Sequence, residues 1–120
     1  MKDIKNYILE SSKIYEGINS EEQLCKKLYD LFGDHGMFEN IEDDNTFYIS
    51  MLPDEEDNEL KQYEKNGLTK DILDLAERKK SYQGGGEVIY TFDIYDIVEY
   101  FDDDCDRAFE EIKSWFSYLL

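Results

Sequence analysis

The chain has 120 residues, 30 of them acidic and 13 basic, for a formal net charge of −17. That length suits one domain over residues 1–120. With 41% hydrophobic and 15% aromatic residues a core can be packed, which excludes wholesale disorder. So large a negative charge argues against direct binding to a nucleic-acid backbone and against adsorption to anionic lipid.

Ile4, Tyr7, Ile8, Ile14 and Tyr15 recur at helical spacing and predict a helix over residues 3–16, with Gly17 just past its end. Ser20-Glu21-Glu22-Gln23 reads as a capping box, in which the Ser20 hydroxyl and the Gln23 amide satisfy orphan N–H groups. The helix it opens has Leu24, Cys25, Leu28, Leu31 and Phe32 as its buried face and stops at Gly33, so the two helices predict an α-hairpin. Residues 34–45 read as acidic turns. Thr46 to Met51 is β-branched and aromatic and predicts a strand, stopped by Pro53. The acids from Asp54 to Glu59 suit a helix N-terminus, with a short helix running to Lys65 and broken at Asn66-Gly67.

Thr69 is placed to cap the next helix, with Leu68 and Leu73 as a hydrophobic staple. Ile72, Leu75 and Ala76 extend its apolar face, and Arg78-Lys79-Lys80 fall at its expected C-terminal end. Gly84-Gly85-Gly86 is a loop. Glu87 to Asp93 is the best strand in the chain, with Val88, Tyr90 and Phe92 on one face, and is expected to pair with 46–51. Ile94, Val98, Phe101, Cys105, Ala108, Ile112, Trp115 and Leu119 alternate spacings of four and three, which predicts a long C-terminal helix. Asp102-Asp103-Asp104 is the point at which a second helix, nearly in line, would be capped. The expected fold is α+β: an N-terminal α-hairpin, a small antiparallel sheet of two to three strands, further helices and the long C-terminal one.

The residues offer little catalytic chemistry. His35 is the only histidine, in a Gly-Asp-His-Gly turn without a nucleophile motif beside it, and reads as an exposed turn residue. Cys25 and Cys105 are far apart in sequence, fall on apolar helical faces and read as buried, inert thiols. One histidine and two dispersed cysteines do not make zinc spacing. Asp102, Asp104 and Asp106 match the first positions of an EF-hand loop, but Arg107 and Lys113 stand where glycine and glutamate are required. Pro53-Asp54 with Glu59-Leu60-Lys61 mimics a metal-dependent nuclease pattern, but its second element falls in a helix, not on a core strand. The triple glycine lacks a phosphate-loop ending and leads into a strand. No enzyme, cofactor or metal is expected. Tyr48, Tyr63, Tyr82, Tyr95, Tyr100 and Tyr118 do not all fit the core stripes and suit an interface.

The charge is concentrated. Residues 34–60 carry ten acids and no lysine or arginine, and residues 87–120 carry ten acids and two bases, while the remainder is nearly neutral. Asp96, Glu99, Asp103, Asp106 and Glu110 recur three and four apart, a row of like charges that costs roughly 0.2–0.5 kcal/mol per neighbouring pair. A chain needing only solubility would do as well with mixed signs, so a basic partner is expected. In size and charge the whole chain resembles the phage-encoded DNA mimics, the antirestriction and anti-CRISPR inhibitors.

That resemblance implies a cytoplasmic, non-catalytic inhibitor that occupies the DNA-binding cleft of a CRISPR effector or another nucleic-acid enzyme. The implied contacts are the carboxylates of the two blocks: Glu42, Asp43, Asp44, Asp54, Glu55, Glu56, Asp57, Asp96, Glu99, Asp103, Asp106 and Glu110. The rival readings are an immunity protein that neutralises a basic toxin nuclease, and an acidic structural or adaptor protein. No signal peptide or membrane span is expected from the sequence.

Overall fold

A computed structural model describes residues 17–81 and 86–120. In chain order these form α1 (Glu21–Phe32), a 3-10 turn (Gly36–Phe38), α2 (Ile41–Asp44), β1 (Thr46–Met51) and a 3-10 turn (Pro53–Glu55). There follow α3 (Glu56–Lys65), α4 (Lys70–Leu73), β2 (Glu77–Ser81), β3 (Glu87–Asp93), α5 (Ile94–Tyr100), α6 (Cys105–Trp115) and a 3-10 turn (Ser117–Leu119). The class is α+β, as expected. The predicted helix over 3–16, and with it the α-hairpin, lies outside the described residues, as do Tyr82, Gly84 and Gly85.

The sheet is antiparallel throughout, in the order β1-β3-β2. β1 and β3 have the bounds the sequence predicts, because both alternate with period two and bury one face. In register, Phe47 faces Phe92, Ile49 faces Tyr90 and Met51 faces Val88, and all six side chains are buried. The core sits on that side of the sheet, against Leu24, Leu28 and Phe32 of α1, Ile94, Ile97 and Val98 of α5, and Ala108, Ile112 and Trp115 of α6. Leu31, expected in the buried face of α1, is 39% exposed because it lies at the rim of the stripe centred on Leu28 and Phe32. No charged side chain among the described residues is buried.

β2 corrects the sequence reading. The Thr69 hydroxyl does cap a helix, accepting from the Ile72 N–H at 3.4 Å, but α4 lasts one turn. Leu75 and Ala76 bond back only three residues, to Ile72 and Leu73, and the chain then enters a strand. Arg78, Lys79 and Lys80 therefore lie exposed on a sheet edge instead of ending a helix. Nothing in Glu-Arg-Lys-Lys-Ser alternates; the segment is a strand because β3 pairs with it. Its charge is what discourages such an edge from pairing with further chains.

The long C-terminal helix is also corrected: it is two helices. Asp102 and Asp103 have φ of 60° and 64°, in the left-handed region. The N–H of Asp103 bonds to the Val98 carbonyl at 2.8 Å and that of Asp102 to Glu99 at 3.0 Å, which is a Schellman stop with Asp102 at the position usually held by glycine. Asp104 then caps α6, its carboxylate accepting from the Arg107 N–H at 3.0 Å. Aspartate tolerates the left-handed conformation better than most residues and favours caps over helix interiors. The apolar stripe survives the break: from Ile94 to Trp115 its members are buried, and Leu119 is half-buried. Replacing Asp102 with glycine is expected to raise stability by about 0.5–1 kcal/mol, and replacing it with valine to lower it by about 1–2 kcal/mol, read as opposite shifts of the urea midpoint.

Candidate functional site

One group of the acidic residues gathers at the end of the sheet where β1 begins and β3 ends, and Asn45 is the joint. With φ of 59° it ends α2, and its carbonyl accepts the Ile94 N–H at 2.9 Å. Thr46 is directly opposite Asp93 in the ladder. Glu42, Asp43 and Asp44 of α2 thus lie beside the start of α5, which carries Asp93 and Asp96. Asp93 caps α5 through the Tyr95 N–H at 2.8 Å. α1 begins at the same place. The Ser20 hydroxyl accepts from Gln23 N–H at 3.2 Å, and the Gln23 side chain returns to the Asn19 N–H at 2.7 Å, one residue earlier than in the usual box. Glu21 and Glu22 occupy its first turn.

The two thiols report this convergence. Cys25 is buried one turn into α1, with its Sγ 3.6 Å from the Asn45 side-chain oxygen. Burial pushes it up to about 11, aided by the charges of Asp93, Glu21, Glu42 and Glu22. Cys105, at the start of α6, is raised by burial and then by Glu21, Asp106, Asp104 and Asp103. Glu21 acts on both. One acidic surface therefore runs from α2 across the starts of α5 and α1 to the α5–α6 turn, and both cysteines stay protonated beneath it at neutral pH. At each helix start the carboxylates also favour their own helix through its dipole.

Some of these acids are engaged in the fold. Asp106 accepts the Ile18 N–H at 2.9 Å, and a Cβ at Gly17 (φ +75°) would lie 2.5 Å from its carboxylate, so glycine is required there. Glu110 pairs with Lys113 at 3.4 Å on the exposed face of α6, a contact of little energetic weight. Glu42, Asp43, Asp44, Asp96, Glu99 and Asp103 are exposed and have no ion pair among the described residues. The five-carboxylate row is not one helical face: Asp96 and Glu99 are on α5, Asp103 is in the turn, and Asp106 and Glu110 are on α6.

Asp54, Glu55, Glu56 and Asp57 are elsewhere. They follow the far end of β1, five residue steps or about 17 Å along the strand from α2. Glu56 is committed there, accepting from Arg78 Nε and Nη2 at 2.9 Å each and from the Tyr90 hydroxyl. This trio lies in a groove of about 600 Å³ between α3, α4 and the β2 edge, lined also by Leu60, Lys61, Leu73 and Lys70. The Arg78 hydrogen bonds first, and that of Tyr90 next, hold the Glu56 carboxyl down at about 2 from an ordinary value of 4.5. Because the folded value is the lower, the pair stabilises fully above about pH 4.5 and the contribution disappears as pH falls toward 2. Glu56→Gln is expected to be clearly less stable than the parent at pH 6, with the difference shrinking to a small remainder by pH 2, by urea unfolding.

Of the other sequence candidates, His35 opens the 3-10 turn at Gly36 and is half-buried, not fully exposed. Tyr95, Tyr100 and Tyr118 are exposed, Tyr48 is half-buried and Tyr63 is buried. Glu59 and Lys61 of the nuclease-like pattern point to different sides of α3, Lys61 into the groove and Glu59 into a separate recess. No group of three His, Cys, Asp or Glu among the described residues is placed to hold a metal ion. No helix among them is long and apolar enough to cross a membrane.

Glu21, Glu22, Asp93 and Asp104 join the acidic surface, although the sequence does not place them among the expected partner contacts. Glu21 and Glu22 sit in a stretch whose lysines cancel them in any local count, and only the fold separates the two signs. Compared with protein-family models, with curated proteins and with solved structures, the chain matches none.

Proposed function

We propose that the chain is a non-catalytic inhibitor whose acidic surface occupies the basic nucleic-acid-binding cleft of a defence enzyme in the bacterial cytoplasm, a CRISPR effector or a restriction enzyme. The observation that carries this reading is the gathering of exposed carboxylates from α2, α5 and the α5–α6 turn at one end of the sheet, with no lysine or arginine paired to them among the described residues. Like charges so arranged repel one another in the free protein, and a cationic cleft relieves that repulsion. A field of this sign and density also steers a basic partner into encounter.

The test is capture from a bacterial lysate on the immobilised chain, followed by competition. Recovery of a nucleic-acid enzyme that duplex DNA and raised salt both displace is the expected result. Recovery only of proteins indifferent to DNA competition overturns it. If the enzyme recovered is a toxin nuclease, the immunity-protein reading holds instead, with the same surface engaged.

A further inference from the structure

α3 has a second face, turned away from the groove that holds Glu56. Glu59, Gln62, Tyr63 and Asn66 follow one another at helical neighbour spacing, and with Tyr118 they line a recess of about 330 Å³. Its walls are fixed from several sides. The Tyr63 and Tyr118 rings meet edge to face at 5.9 Å and 69°, and their hydroxyls are hydrogen-bonded to each other. Phe116 packs edge-on against Tyr63 at 5.6 Å. The Ser114 hydroxyl donates to the Asn66 carbonyl at 2.9 Å, tying the end of α3 to α6.

Among the described residues no lysine or arginine lines this recess, and Glu59 is the one carboxylate that does. Burial, the Tyr118 hydrogen bond and the Glu59 charge together hold the Tyr63 phenol protonated well above the ordinary tyrosine range. The corner therefore presents two neutral aromatic rings, two amide groups and one negative charge.

We infer that this recess binds a cationic side chain of the basic partner, an arginine guanidinium or a lysine ammonium, held by the Glu59 carboxylate against the exposed ring of Tyr118. Aromatic faces attract such cations, a carboxylate bonds a guanidinium through two parallel N–H groups, and the amide oxygens of Gln62 and Asn66 can accept the remaining donors. An anion would meet Glu59 unfavourably. A purely apolar group would strip water from the carboxylate and the amides without replacing their hydrogen bonds. The source of the side chain rests on the function proposed above; the chemistry of the recess does not.

The experiment titrates N-acetyl-arginine N-methylamide, and separately its uncharged norleucine counterpart, into the isotopically labelled chain at about 0.15 M ionic strength. Side-chain amide signals of Gln62 and Asn66 and the ring signals of Tyr118 are followed by NMR. The arginine compound is expected to shift these signals saturably, and the norleucine compound to bind roughly tenfold more weakly or worse. Glu59→Gln, with the rest of its spectrum unchanged, should lower the arginine affinity roughly fivefold, and Tyr118→Ala should act in the same direction. Equal binding of the two compounds overturns the inference. So do arginine-induced shifts as large at Asp96 and Glu99 as in the recess, which would mark general attraction to the acidic surface. If the recess binds arginine selectively while the chain captures no basic protein, the functional reading fails and the recess stands.

Discussion

Alanine in place of Phe38 is expected to remove about 3–5 kcal/mol of stability. The side chain has no exposed surface, and its ring is held on three sides. It stacks on Phe32 at 5.0 Å and 28°, stacks on Phe47 at 5.0 Å and 11°, and receives Phe116 edge-on at 4.9 Å. Phe47 in turn stacks on Phe92 at 5.1 Å, and Phe92 leans on Trp115 at 6.2 Å. Aromatic contacts thus join α1, the 3-10 turn, β1, β3 and α6; Phe38 bridges Phe32 of α1 to Phe47 of β1 directly, and Phe116 gives a second route, 6.0 Å from Phe32 and 5.8 Å from Phe47. Removing it exchanges transfer energy and ring pairing for a cavity that rigid aromatic neighbours cannot collapse into. Domains have a total stability of only about 5–15 kcal/mol, so Phe38→Ala should show a urea midpoint lowered by roughly a fifth or more. Phe38→Leu, which keeps most of the volume, should lose about 1–2 kcal/mol. A loss below about 1 kcal/mol for the alanine variant would mean that the turn closes over the site and the aromatic run is not what holds the layers together.

The position of Phe38 illustrates what the sequence carries and what it does not. β1 and β3 are legible to the residue because a strand half-buried on one face must alternate, and Thr46–Met51 and Glu87–Asp93 both do. The start of α1 is legible because the cap is local chemistry. Phe38 and Ile41, both fully buried, sit in a stretch too short and too acidic to show any period. Residues 34–45 therefore read as turns although they seal the core. β2 is illegible for the opposite reason: its structure is supplied entirely by its neighbour in the sheet. The break between α5 and α6 is hidden by the regular spacing of its own core residues, since the connection from Phe101 to Cys105 preserves the stripe. Only the three consecutive aspartates mark it.

The acidic surface was half legible for a related physical reason. A charge count along the chain sees density and not position. It finds residues 34–60 as one block, whereas β1 carries the chain the length of the sheet between Asp44 and Asp54. The same count hides Glu21 and Glu22 behind Lys26 and Lys27. Glu56 looks like any other member of an acidic run until Arg78 is brought to it from 22 residues away by the β2 strand.

Reversing Asp43, Asp96 and Glu99 to lysine is expected to weaken capture of the partner at least roughly a hundredfold, while the chain stays folded. These three are exposed, lie on α2 and α5, and make no side-chain hydrogen bond or ion pair among the described residues. Asp93, Asp104 and Asp106 are deliberately spared, because their carboxylates bond backbone N–H groups of the fold. Asp103 is spared for its left-handed backbone. Within α5 the two reversals offset: lysine at position 96 loses about 0.3–1 kcal/mol against the helix N-terminus, and lysine at 99 gains a similar amount at the C-terminus. The control is the triple reversal of Asp54, Glu55 and Asp57, which raises the net charge from −17 to −11 just as the first variant does. With total charge matched, any difference between the two reads arrangement alone. The association rate of the α2–α5 variant should also lose most of its salt dependence, since steering comes from the field at that end. Equal losses in both variants would assign the binding to net charge rather than to this surface, and undiminished binding by the first would remove the surface from the function altogether.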